Sequence, residues 1–260
     1  MQLPDSDIKT REVLTWEGLH LLHYDLSSCS QKVRILMGEL GINYVSHPIN
    51  LMRDEQRSDW YRGINPRAVV PVLVHDGAVH IESNDIIEYL DRSFAEEGAS
   101  FLPVGEAEQA QMHELMRLED QRHPDLRTVT FTYLAPDPSD HAPTVSGEDF
   151  GYLGRFHDAF SQLNERLASQ PFLLGQRMTL ADISWFITLH RLNLAGYPFS
   201  EHRHLHDYLR RISERPAFRK EVAAGPLMLR LGGSVYRHLN RLRKSLPRDY
   251  ERWRSNRAAA

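Results

Sequence analysis

Cysteine is almost missing from this 260-residue chain, where Cys29 stands alone. A single thiol cannot close an internal disulfide, so nothing points to a stapled, secreted scaffold, and without a C-x-x-C pair a dithiol redox centre is disfavoured. Long apolar runs are missing too, since none reaches the roughly 18 residues of a membrane span. The opening MQLPDSDIKTREVLTWEG carries acids where a signal peptide would be basic and then apolar, and a cytoplasmic location is expected. Nor is there an excess of positive charge. With 31 Lys and Arg against 35 Asp and Glu the formal charge is −4, which supplies no general electrostatic reason to bind nucleic acid. Disorder is disfavoured as well, because 41% of the residues are hydrophobic and the length suffices to bury a core as one large domain or two modest ones.

What is present is an alternating α/β pattern followed by a helical one. LHLLHY (19–24) reads as a short strand, and Val33, Leu36, Met37 and Leu40 then fall on one helical face that Gly41 ends. INYVSHPI (42–49) reads as a second strand. VVPVLVHDGAVHIES reads as two strands joined at Asp76-Gly77, a strong hairpin dipeptide. Ser83 is placed to cap a helix over Asn84–Phe94, in which Ile86, Ile87, Leu90 and Phe94 keep helical spacing. The order β-α-β-(α)-β-β-α is the thioredoxin-like order, and the domain it predicts spans 19–95. Residues 95–105 read as a linker, 106–224 as an all-α helical bundle, and 225–260 as a basic helical extension. The Pro/Asp/Ser-rich APDPSDHAPTVSGED (135–149) interrupts the helical part, and loops of that length inside a compact domain are often functional or disordered.

Three places in the first part carry chemistry as well as structure. Val70-Pro71 interrupts a strand-like run, and proline, which cannot donate to a ladder, sits at a strand start, an edge or a bulge. If the bond is cis, the N–H and C=O of Val70 turn outward, free to pair with an extended peptide. Glu82-Ser83 lies at a helix mouth. Either Ser83 caps the helix and no more, or its hydroxyl and the free first-turn N–H groups form a small site for a carboxylate while Glu82 pairs with an ammonium. Ser27-Ser28-Cys29-Ser30 has the same two readings: a cap, or hydroxyl donors backed by the helix dipole that stabilise a thiolate. A free thiol is only a few per cent ionised at pH 7, and lowering its pKa by about two units takes roughly 2.7 kcal/mol. One charge-assisted hydrogen bond plus a helix terminus is about that size.

In this order and on these elements, the motifs resemble a glutathione S-transferase over roughly residues 19–224. SSCSQKVRI (27–35) is similar to the SSCS motif of zeta-class enzymes, which include maleylacetoacetate isomerases. NPRAVVPVLVHDG (65–77) and IESNDIIEYL (81–90) are similar to the family's glutathione-binding core, and TLADIS (179–184) to the capping box of its second domain. SDWYRGINPR (58–67) is similar to bacterial beta-etherases, and TLHRLNLAG (188–196) to ganglioside-induced differentiation-associated relatives. The resemblance implies that Ser27 hydrogen-bonds the glutathione sulfur, with Ser28 and Cys29 able to assist or substitute. It implies that Val70, before a cis Pro71, pairs with the cysteinyl backbone, and that Glu82 and Ser83 hold the γ-glutamyl end. Where the family often has Gln, Lys or Glu before the Val-Pro pair this chain has Val69, leaving Arg67 or Arg53 to supply that contact.

The same resemblance implies glutathione as co-substrate, no metal, a homodimer, and transfer of the thiol to an apolar or aromatic electrophile. That electrophile is expected between the domains, against the helix ending near His123–Leu134 and under the 135–149 loop, touching Arg127, Phe131 or Tyr133. The competing readings are a glutathione-dependent isomerase or ether-cleaving enzyme, mixed-disulfide chemistry at Cys29, and a non-catalytic binding protein on the same scaffold. Thr179 and Asp182 read as a structural capping box. Among His202, His204 and His206 the 202/206 spacing could put two imidazoles on one helix face, but with no accompanying Cys or clear third ligand the three read as a surface cluster rather than a metal site. The extension from Pro226 carries nine Lys and Arg against two acids, with an apolar stripe of Leu227, Leu231, Val235, Leu239 and Leu242, and is expected to pack on its own chain.

Overall fold

The computed structural model describes residues 1–96, 98–130, 151–197 and 199–222, and the side chains of all of these except 151–153. The chain divides into two units, Met1–Val104 and Gly105–Ala260.

The first unit is built on a mixed sheet of four strands in the order β2-β1-β3-β4. Strand β1 (Leu19–His23) runs parallel to β2 (Val45–Pro48) and antiparallel to β3 (Val72–His75), which pairs antiparallel with β4 (Ala78–His80). Sheets covered on both faces need apolar residues on both, and the pleat sends alternate side chains each way. One face packs Leu22, Val72, Val74 and Val79 into a cluster with Ile8, Val13, Ile49, Tyr61, Ile64 and Ile81. Helices α1 (Ser28–Glu39) and α3 (Ser83–Phe94) pack on each other, and their apolar stripes, Val33, Leu36 and Met37 with Ile86, Ile87 and Leu90, are buried. Ile8 and Val13 come from a stretch ahead of the first strand that periodicity leaves without a role. That stretch is held by a hydrogen bond from the Leu3 N–H to the Val79 carbonyl.

The local signals act as expected at most boundaries. Ser27 is the N-cap of α1, and Gly41, with φ +65°, ends it while the Ile42 N–H reaches back to the Met37 carbonyl. Asp76 and Gly77 have φ of 48° and 81°, as the tight hairpin between β3 and β4 requires. Glycine is also demanded there by space, because a Cβ on Gly77 would lie 2.3 Å from the Leu14 carbonyl oxygen. Strand β2 is shorter than the run 42–49, and the polar stretch after it forms short 3-10 turns and the single-turn α2 (Asp59–Arg62). One correction concerns α3. Its N-cap is Glu82, at φ 68°, so Ser83 is the first helical residue and does not cap the helix.

The second unit is helical, with α4 (Glu106–Thr128), α5 (Gly151–Leu167), α6 (Leu180–Leu194), α7 (Arg203–Ser213) and α8 (Pro216–Glu221). Helix α6 is buried along most of its length, and the capping box at its start is present. Asp182, fully buried, accepts from the Thr179 N–H (2.8 Å) and hydroxyl (3.0 Å), the Leu173 N–H (3.0 Å) and the Tyr208 hydroxyl (2.8 Å). A buried carboxylate also stitches α4 to α6: Glu119 accepts from the Thr188 hydroxyl at 2.6 Å, and the Trp185 indole donates to the Leu115 carbonyl at 2.9 Å. A second correction concerns the histidines. His204 is exposed and His206 half-buried, but His202 is only 2% exposed. It stacks on Tyr197, whose hydroxyl lies 3.0 Å from its Nε2, because an apolar aromatic pocket with one polar partner accepts a neutral imidazole.

Candidate functional site

Register decides what meets at the end of the sheet. Leu22 pairs with Val72 and Leu73 with His80, so the C-terminal end of β1, the N-terminal start of β3 and the C-terminal end of β4 lie at one end. From those three strand ends the chain runs to Ser27, from Pro71, and to Glu82-Ser83. Residues separated by 56 positions in sequence are thereby delivered to one edge.

The loop from β1 to α1 is held from beneath. The Arg34 guanidinium, 9% exposed, donates to the Asp25 carbonyl (2.9 Å), the Tyr24 carbonyl (3.4 Å) and Nδ1 of His23 (2.9 Å). Arginine only donates, so His23 Nδ1 accepts and its Nε2 carries the proton given to the Ser46 hydroxyl at 2.8 Å. Burial, aided by Arg34, pushes the His23 pKa down to about 4, which keeps that tautomer neutral. On this support Ser27 donates its N–H to the Tyr24 carbonyl and accepts from the Ser30 N–H at 3.3 Å. The hydrogen of the Ser27 hydroxyl has no acceptor among the described residues. Ser28 is nearly buried in the first turn of α1, and Cys29 beside it is half-buried.

The Val70-Pro71 bond is cis. Val70 is only 8% exposed, yet neither its N–H nor its C=O has a hydrogen-bond partner among the described residues. Buried backbone groups are almost always paired, and an unpaired donor and acceptor on one residue are together able to pair with the backbone of an extended peptide. At the start of α3, Ser83 is nearly buried and its hydroxyl has no partner among the described residues, at the N-terminus of a 12-residue helix. Glu82 forms an ion pair with Arg67, which joins the loop before the cis bond to the mouth of α3. Of the two arginines offered by sequence, Arg67 is therefore at the site; Arg53 is exposed on the Leu51–Arg53 turn, and no hydrogen bond or ion pair joins its side chain to these groups among the described residues. An arginine beside a glutamate matches the carboxylate and ammonium of an α-amino acid end.

For the second reactant, Arg127 is exposed in the last turn of α4. Phe131, Tyr133, the 135–149 loop and the 225–260 extension lie outside the described residues. Sequence reasoning missed Arg34, His23, Lys32, Tyr61 and Asn65, all buried around the site. Lys32 and Arg34 lie in SSCSQKVRI, Tyr61 and Asn65 in SDWYRGINPR and His23 in LHLLHY, yet none of these stretches gave them a role; a polar residue among apolar neighbours, beside a backbone turn that needs support, is the signal that could have found them. Among the described residues no group of three or more His, Cys, Asp or Glu is arranged to hold a metal, and no helix is long and apolar enough to cross a membrane.

Residues 26–93 match the glutathione S-transferase N-terminal domain, and residues 112–211 the glutathione S-transferase C-terminal domain. The chain is 28% identical to glutathione S-transferase 3 of Zea mays, over 80% of this chain and 95% of the relative. It is 24% identical to ganglioside-induced differentiation-associated protein 1-like 1 of Homo sapiens, over 90% of this chain and 81% of the relative. Its fold superposes on the crystal structure of beta-etherase LigF from Sphingobium sp. strain SYK-6 with a TM-score of 0.65 at 24% identity, over 80% of this chain and all of that one.

Proposed function

Because the chain belongs to the glutathione S-transferase family, we propose that it binds glutathione at this end of the sheet, activates the thiol and transfers it to an apolar or aromatic electrophile. The observation that carries the reading is the pairing of a hydroxyl hydrogen without an acceptor on Ser27 with an unpaired N–H and C=O on Val70. Val70 exchanges backbone hydrogen bonds with the cysteinyl residue, which sets the sulfur before Ser27. Glu82 takes the γ-glutamyl ammonium, while Arg67, Ser83 and the N–H groups of α3 take its carboxylate.

The thiol proton leaves to water, and the sulfur keeps the electron pair. Ser27 donates its O–H to the resulting thiolate, aided by the positive end of α1, and itself gives up no proton. The sulfur pair then forms the C–S bond to the electrophilic carbon, and the leaving group departs with the electrons of the bond it breaks. The protein's contribution is to populate the thiolate near neutral pH and to hold two reactants together.

Titration of bound glutathione by thiolate ultraviolet absorbance from pH 5 to 9 tests this. Wild type should ionise the bound thiol about two units below its ordinary value, and Ser27→Ala should restore that value. An unshifted thiol in wild type would sink the Ser27 mechanism and move the chemistry to Cys29, which Cys29→Ala then checks. The structural likeness to a beta-etherase supports including an aryl ether among the electrophiles. Product analysis separates these outcomes, since transfer and ether cleavage consume glutathione and an isomerase regenerates it.

A further inference from the structure

The direction of the Val70 N–H is set one residue earlier. It belongs to the peptide unit that begins with the Val69 carbonyl, and in a trans peptide the C=O and N–H point to opposite sides. The Val69 carbonyl accepts two hydrogen bonds, from the Tyr61 hydroxyl at 2.7 Å and from Asn65 Nδ2 at 2.9 Å. Both donors are fully buried. Two acceptances engage both lone pairs of the oxygen, which holds the plane of the peptide as well as its position. The N–H of Val70 is thereby turned to the side away from Tyr61 and Asn65.

The donors are themselves held. Asn65 Oδ1 accepts from the Arg67 N–H at 3.1 Å, its backbone carbonyl accepts from the Ala68 N–H at 3.0 Å, and its own N–H donates to the Tyr61 carbonyl at 2.9 Å. Tyr61 sits in α2, whose cap Ser58 accepts the Tyr61 N–H at 3.2 Å. Ala68 has φ +55°, a conformation costly for a residue with a Cβ, so the turn needs outside support to persist. Burial raises the Tyr61 pKa far above its usual value, so the hydroxyl remains a donor at any working pH.

We infer that Tyr61 and Asn65 are positioning residues that aim the Val70 N–H at the cysteinyl carbonyl of glutathione, and so govern binding rather than thiol ionisation. The inference rests on the proposed pairing of glutathione with Val70.

The test is calorimetric binding of glutathione and of its analogue with the cysteinyl carbonyl reduced to a methylene, to wild type and Tyr61→Phe. Wild type should prefer glutathione. Tyr61→Phe should weaken glutathione about fivefold to tenfold, the worth of one hydrogen bond, while leaving the analogue's affinity and the bound thiol's pKa unchanged. Equal weakening of both ligands, or none of either, overturns the inference and leaves the Val70 pairing intact. A wild type that binds no glutathione, or does not distinguish the two ligands, overturns the pairing and the inference with it. If Tyr61→Phe does not fold, Asn65→Ala takes its place. That change removes the Asn65 donor to the Val69 carbonyl, with the same outcomes.

Discussion

The ammonium of Lys32, 1% exposed in α1, donates to the side-chain oxygen of Asn84 at 2.9 Å in the first turn of α3. Burying an ammonium is costly unless its donors are met. This pair links the helix that begins at Ser27 to the helix that begins at Glu82 and Ser83, and so ties two parts of the candidate site together.

Removing the acceptor should therefore cost more than the area it buries. Asn84→Ala is expected to destabilise the protein by about 1.5–3 kcal/mol, the range for hydrogen bonds to charged groups. Adding Lys32→Met to that variant should recover part of the loss, because an apolar side chain of similar size leaves no charge to satisfy. Urea unfolding of the two single variants and the double variant measures both, and additive losses would contradict the account.

Glu82 is assigned to an ammonium, and that assignment can be read from the ligand side. Glu82→Gln should weaken glutathione about tenfold, as the loss of one partner of a charge pair does. It should leave the affinity for an analogue lacking the amino group unchanged. The pair with Arg67 is solvent-exposed, so the fold itself should lose little. Equal losses for both ligands would place the ammonium elsewhere.

Acid should destabilise the protein through its buried histidines. Burial is the largest cause holding His23, His80, His190 and His202 at about 4, helped by Arg34, the N-terminal amine, Arg191 and His157 respectively. Unfolded, each takes up a proton near pH 6.5. The native state keeps them neutral, so protonation favours the unfolded chain: their contribution is whole above about pH 6.5 and is lost as pH falls through about 4. Each removes up to about 1.4 kcal/mol per pH unit in that window. Thermal unfolding should show a midpoint level above pH 7 and falling between pH 6.5 and 4. His202→Gln should make that fall shallower; a midpoint that rises on acidification would reverse the argument.

Periodicity and punctuation made the thioredoxin-like order legible, because they act over a few residues: Ser27 before a helical stripe, Gly41 after it, Asp76-Gly77 between two strands. The same local signals misplaced Ser83 by one position. A cap is decided by backbone dihedrals, and Glu82, at φ 68°, takes the cap position while its side chain pairs with Arg67 15 residues earlier. They also misplaced His202, since a histidine's burial depends on aromatic residues from other elements that no spacing within its own helix reveals.

By itself, then, the sequence determined which residue types stand at strand ends and helix mouths, and through its motifs the family to which the chain belongs. Tertiary structure alone decided that Ser27, Val70 and Glu82 share one end of the sheet, because strand register is a pairing between distant segments. It alone decided that Arg67 rather than Arg53 joins them. The supports beneath the site, Arg34 under the Tyr24–Asp25 loop and Tyr61 with Asn65 on the Val69 carbonyl, follow from the same cause. A buried polar side chain is placed by the distant backbone group it satisfies, and that partner is written nowhere near it in the chain.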